Sequence, residues 1–155
     1  MEDTEDYASR LAATRAAGRQ QDWAAAQAGL RVLLQAPEPG VEVRLLQARL
    51  SQLSDAPDPT LLDLPAIAPA LRAAAAACPD HAGIPLELGH LQHAVLDQPT
   101  EAMAAFDTAA ELAMAQLTEA LRGYAEAAAS SHQSAAAQPV LQHWRQRLAA
   151  WDFEA

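Results

Sequence analysis

The sequence predicts an all-α fold, a solenoid of about four antiparallel helix pairs in one domain over 1–155. Alanine, the best intrinsic helix former, supplies 40 of the 155 residues. The β-branched and aromatic residues that strands prefer are scarce. Turn-forming segments cut the chain into pieces of helix length, and one spacing of small and apolar residues recurs after 35 residues. Such recurrence is typical of helical repeat arrays.

Proline, glycine and small polar residues mark the predicted turns. These turns are PEPG (37–40), DAPDPT (55–60), CPDHAG (78–83), DQPT (97–100) and SSHQS (130–134). The predicted helix pairs are 4–19 with 22–36, 40–54 with 61–77, 84–96 with 100–114, and 117–131 with 135–152. Because proline lacks an N–H and clashes with the preceding turn, Pro65 and Pro69 predict an irregular or kinked start to the fourth helix.

Apolar residues at helical spacing support these helices. The stripes are Tyr7, Leu11 and Thr14; Ala26, Leu30 and Leu33; Val43, Leu46, Leu50 and Leu53; and Leu141, Trp144, Leu148 and Trp151. Asp22 is the predicted N-cap of the second helix. Thr100 followed by Glu101 is predicted to open the sixth, and Pro99 prevents its extension backwards.

One stretch, LGHLQHAVLDQPTEAMAAFDTAAEL (88–112), resembles a tetratricopeptide repeat. Gly89 matches the small residue of the first helix, and Ala102, Phe106 and Ala109 match the second. Ala137, Leu141 and Trp144 repeat those offsets, and DW (22–23) with Ala26, Leu30 and Leu33 resembles the motif near the N-terminus. Gly89 precedes Ala102 by one residue more than the motif expects. The resemblance implies a right-handed superhelix whose first helices line a concave groove.

The charge of the chain excludes several classes of partner. The formal net charge is −10, and residues 51–143 hold two arginines against eleven acids. Nucleic acids and anionic membranes attract basic proteins, so neither is expected as a partner. No leader or membrane span is visible, and Cys78 has no partner for a disulfide, so the cytoplasm is the expected location. Abundant Ala and Arg without Lys suggest a GC-rich bacterial genome.

The segment ELGHLQH (87–93) raises the alternative of a metal site. Glu87, His90 and His93 share part of one helical face, and Glu87 with His90 has the E-x-x-H spacing of di-iron bundles. Such sites need a second E-x-x-H, which the other histidines do not provide. We therefore expect no metal and no cofactor, and no nucleophile assembly is visible. If Gly89 is the small residue at the helix crossing, the resemblance places both histidines on the groove wall.

The expected function is a non-enzymatic module that binds a peptide or helix of a partner protein. The predicted groove residues are His90, His93, Arg122 and Glu126, the last two from taking Ala125 as the small residue of its helix. The acidic surface favours a basic partner. The alternatives are an acidic chaperone similar to the tetratricopeptide chaperones of type III secretion, the N-terminal regulatory domain of a larger enzyme, and, last, a metal-dependent enzyme using Glu87, His90 and His93.

The last predicted helix carries an apolar seam that no following repeat covers. Its residues are Leu141, Trp144, Leu148 and Trp151. Uncovered apolar stripes mark interfaces more often than free surface. The seam therefore predicts a homodimer or an interdomain surface, with folding of the last helix onto its own core as the alternative.

Overall fold

The computed structural model describes residues 2–54 and 58–150, and these contain seven helices and no strand. The helices are α1 (Glu2–Arg19), α2 (Trp23–Leu33), α3 (Val41–Leu53), α4 (Leu64–Ala77), α5 (Gly83–Ala94), α6 (Pro99–Ser130) and α7 (Ser134–Ala149). The predicted all-α class is confirmed. None of the described helices is both long enough and apolar enough to cross a membrane.

The prediction of separate helices at 100–114 and 117–131 was wrong, because α6 is continuous from Pro99 to Ser130. The sequence between these ends contains no proline after Pro99, and its one glycine is Gly123. The other residues of this segment, many of them alanine, do not interrupt a helix. The repeat spacing suggested a turn there, and local helix propensity prevailed.

The fourth helix accommodates both of its prolines. Pro65 lies in the first turn of α4, where an N–H has no acceptor within the helix. Pro69 lies inside the helix and removes one backbone hydrogen bond. Of the stretch predicted to be irregular, the described residues 58–63 lie before α4 and outside any helix.

The described chain divides into two compact units, residues 1–111 and 112–155, with the boundary inside α6. The prediction of a single domain over 1–155 stays a prediction. Both apolar clusters of the described core lie in the first unit. One joins α2 to α3 through Ala26, Leu30, Leu33, Val43, Leu46 and Leu50; the other joins α3, α4 and α5 through Ala48, Ile67, Ala68, Leu71 and Leu91.

The predicted N-cap of the second helix is confirmed. The Asp22 carboxylate accepts a hydrogen bond of 3.1 Å from the Ala25 N–H and so caps α2. Gly29 on α2 faces Thr14 on α1, and a Cβ at Gly29 would overlap the Thr14 hydroxyl oxygen. The two helices therefore approach each other closely where the side chains are smallest.

Asp58 anchors the turn that leads from α3 to α4. Its carboxylate accepts hydrogen bonds from the Thr60 hydroxyl and, at 2.8 Å, from the Thr60 N–H, and it pairs with Arg31 at 2.7 Å. The Thr60 hydroxyl lowers the pKa of Asp58 most, its N–H adds to this, and Arg31 lowers the pKa further against the opposing effect of burial.

A carboxyl whose pKa is lower in the folded chain stabilises the fold above its unfolded pKa of about 3.9, and this contribution is lost as pH falls through the folded pKa. We expect Asp58→Asn to be less stable than the original chain at neutral pH. The difference should shrink between about pH 5 and about pH 2. Urea unfolding at several pH values measures it. Asp107→Asn, at an exposed position of α6, is the control for the loss of a surface carboxylate.

Candidate functional site

A cavity of about 420 Å³ lies in the first unit, between α1, α3 and α5. The third helix supplies its longest wall, with residues at intervals of three and four that share one face. These residues are Glu42, Leu45, Leu46, Arg49, Leu50 and Leu53. Val43, Leu46 and Leu50 are buried as the predicted stripe requires. Leu53, the last residue of that stripe, is 54% exposed and turns toward the cavity instead of the core.

The other two walls come from the end of α1 and the start of α5. Arg15, Gly18 and Arg19 line the cavity from α1. His81, Gly83, Leu86 and Glu87 line it from the α4–α5 turn and α5. A Cβ at Gly83 would lie 3.0 Å from the His81 ring and 3.1 Å from Leu45, so the chain passes close to these lining residues there. The cavity is thus formed by alternate helices of the chain.

One end of the cavity holds an ionic network centred on Glu42. Arg15 donates to Oε2 of Glu42, and Nε2 of His81 lies 2.9 Å from Oε1. The Nδ1 atom of His81 is buried and has no hydrogen-bond partner among the described residues. Both carboxylate oxygens of Glu42 are therefore occupied from within the chain.

Glu87 holds the other network, and its carboxylate is turned toward α3. It is 4% exposed. Arg49 donates to Oε2 from Nε at 3.0 Å and from Nη2 at 2.6 Å, and Gln52 donates to Oε1 at 3.0 Å. A buried carboxylate needs such donors to offset its lost hydration. Glu87 thus joins α3 to α5.

The alternative metal site gains no support from this arrangement. His90 and His93 are both exposed on α5, whereas Glu87 is engaged by Arg49 and Gln52. Within residues 2–54 and 58–150, no three or more His, Cys, Asp or Glu side chains are grouped so that they could hold a metal ion.

The predicted groove residues lie outside the cavity lining. The His90 ring contacts Phe106 edge to face, with 5.2 Å between the ring centroids. His90 lies one turn beyond Leu86 on α5, and His93 follows another turn on. Arg122 and Glu126 are exposed on the part of α6 that belongs to the second unit. A binding role for these four residues stays a prediction.

Most of the terminal seam lies in the second unit. Leu141, Trp144 and Leu148 are half-buried on α7, and Trp151 lies outside the described residues. The guanidinium of Arg147 lies 5.4 Å from the Trp144 ring centroid, a cation–π distance. The dimer or interdomain role of the seam stays a prediction.

The sequence alone did not identify the arginines and exposed leucines of the cavity lining, which are Arg15, Arg19, Arg49, Leu53 and Leu86. Two signals were present. Six of the ten arginines fall within residues 1–50. Arg49 and Leu53 are also one turn apart on α3, so they share a face. Packing between residues far apart in the chain determines which face of α3 remains uncovered between α1 and α5.

Comparisons of the chain with family models, with curated proteins and with solved structures find no match.

Proposed function

We propose that this chain is a non-enzymatic protein-binding module of tetratricopeptide type, and that it holds a peptide or helix of a partner in the cavity between α1, α3 and α5. One observation carries the proposal: alternate helices of the chain, the first of each successive pair, line one concavity. A right-handed superhelix of helix pairs presents its first helices in this manner. The proposed location is the cytoplasm.

The chemistry of the cavity suits recognition of a side chain. Leu53 and Leu86 are 54% and 41% exposed beside buried Leu46 and Leu50. Covering such leucines stabilises a complex by about 25 cal/mol for each Å² of apolar surface removed from water. Mostly apolar concavities with a few convergent polar groups are the usual form of a binding site. An acidic chaperone and a regulatory domain of a larger enzyme are two settings in which the same groove would serve.

The test compares Leu53→Glu with Leu64→Glu in affinity capture from native lysate. Leu64 is a matched control, because it is 46% exposed but begins α4, away from the cavity. We expect the proteins captured by the original chain to be retained by Leu64→Glu and reduced at least about tenfold by Leu53→Glu, since a buried charge opposes docking. Circular dichroism of both variants checks their folding. Equal capture by the two variants would show that the partner docks elsewhere.

A further inference from the structure

We propose that the segment received by this cavity is acidic and amphipathic: a partner segment whose apolar side chains cover Leu53 and Leu86 and whose carboxylates pair with Arg19 and Arg49. This inference rests on the proposed function and adds the chemistry of the partner. It differs from the basic partner that the net charge suggested.

The cavity is locally positive within an acidic unit. Its lining has three arginines and two glutamates, a net charge of +1 with His81 neutral. Residues 1–111 as a whole hold seven arginines against sixteen acids, a net charge of −9. The lining therefore has a charge opposite to that of its surroundings. A net charge averages over the whole surface, whereas a docked segment meets only the groups within a Debye length of about 8 Å.

The two glutamates of the lining already have partners within the chain. Glu42 binds Arg15 and His81, and Glu87 binds Arg49 and Gln52. A lysine or arginine of a partner would meet carboxylates whose charge Arg15 and Arg49 already offset, and those two arginines would repel it.

The arginines, in contrast, keep donors available. The Arg19 guanidinium, in the last turn of α1, forms no hydrogen bond or ion pair with the described residues. Arg49 uses Nε and Nη2 on Glu87, and its side chain remains 54% exposed. Since a guanidinium has five N–H donors, further donors of Arg49 remain for a second carboxylate. Such charge-assisted bonds are about twice as strong as neutral ones.

The apolar part of the lining lies beside these donors. Leu53 follows Arg49 by one turn of α3, and Leu86 precedes Glu87, the residue that Arg49 binds. An occupant must therefore place carboxylates about one helical turn from its apolar side chains. An amphipathic helix with leucines flanked by glutamates satisfies this requirement.

The experiment uses two synthetic fluorescein-labelled peptides of four helical turns with the same stripe of leucines. One has glutamates beside the leucines, and the other has lysines at the same positions. Fluorescence anisotropy at about 0.15 M salt measures their binding to the full chain, where charges beyond about 8 Å are screened. The variants are Arg19→Glu and Arg72→Glu, which change the net charge equally. Arg72 is exposed on α4, outside the cavity.

We expect Arg19→Glu to weaken binding of the glutamate peptide about tenfold, and Arg72→Glu to weaken it about twofold or less. Leu53→Glu should weaken both peptides. The opposite charge preference would give another pattern: the lysine peptide binds and the glutamate peptide does not, and Arg19→Glu strengthens binding of the lysine peptide while Leu53→Glu abolishes it. This pattern would exclude the acidic partner and leave the proposed groove in place. Equal effects of Arg19→Glu and Arg72→Glu also exclude it. Binding that Leu53→Glu does not affect, or no binding of either peptide, overturns the groove and the acidic partner together.

Discussion

Gly89→Leu should lower the free energy of unfolding by about 1–3 kcal/mol, the usual cost of an overpacked helix contact. A Cβ at this position would lie 2.7 Å from Cε1 and 2.8 Å from Cδ1 of Phe106. Gly89 is buried on α5, so the Phe106 ring or the helix itself must move before any side chain fits. Urea unfolding monitored by circular dichroism measures the change.

Gly123→Ala is the control for the loss of glycine itself. Apart from its chain neighbours and the nearby backbone of α6 itself, no atom of the described residues lies within 4 Å of a Cβ built at Gly123. Alanine should therefore raise stability there by about 0.5–1 kcal/mol, because it restricts the unfolded chain and favours helix.

A double-mutant cycle identifies the atoms responsible. If the Phe106 ring causes the destabilisation, Gly89→Leu combined with Phe106→Ala should be more stable than the two separate changes predict. Additive effects, or a Gly89→Leu variant as stable as the original chain, would contradict the close contact between α5 and α6 at this point.

Arg49→Ala should lower the free energy of unfolding by about 1–3 kcal/mol, because hydrogen bonds to a charged group are removed while the carboxylate stays buried. The change takes both arginine donors from Oε2 of Glu87 and leaves Gln52 on Oε1. The exposure of the Arg49 side chain limits the effect, since solvent screens part of the attraction.

Arg72→Ala is the matched control, since it removes an exposed arginine from α4 and should change stability by about 0.5 kcal/mol or less. Glu87→Gln should couple with Arg49→Ala, so that the double variant is more stable than the sum of the two changes predicts. Additivity would show that Arg49 and Glu87 do not interact.

A large rise in melting temperature on addition of Zn²⁺ to the original chain would instead favour the metal site.

Most of the helices could be predicted from the sequence, because the relevant forces act between neighbours along the chain. Asp22 caps α2 through a donor three residues away, and Pro99 starts α6 because a proline is tolerated only in the first turn. The stripe of Ala26, Leu30 and Leu33 is fully or almost fully buried. The break expected near residue 116 rested on the repeat period, not on a local breaker, and it is absent.

The candidate site could be predicted only in part. The resemblance pointed to a groove on the first helices, and the cavity is lined by α1, α3 and α5; that this cavity is the binding groove stays a prediction. The choice of His90 and His93 followed from the offset to Gly89, yet the cavity lies against the start of α5, one to two turns earlier. Glu87 looked like a metal ligand beside two histidines, and its actual partner is Arg49, 38 residues away.

The sequence by itself determined the helical class and most helix ends, since these depend on residues within a few positions of one another along the chain. The close contact at Gly89 was an implication of the resemblance. The tertiary structure decided which charges meet. Arg15 reaches Glu42 and Arg49 reaches Glu87 across separations of 27 and 38 residues, and Arg19 is left without a carboxylate among the described residues. Composition gives the total charge of the chain, whereas packing decides which arginines remain available to a partner, because Coulomb attraction depends on distance in space and not along the chain.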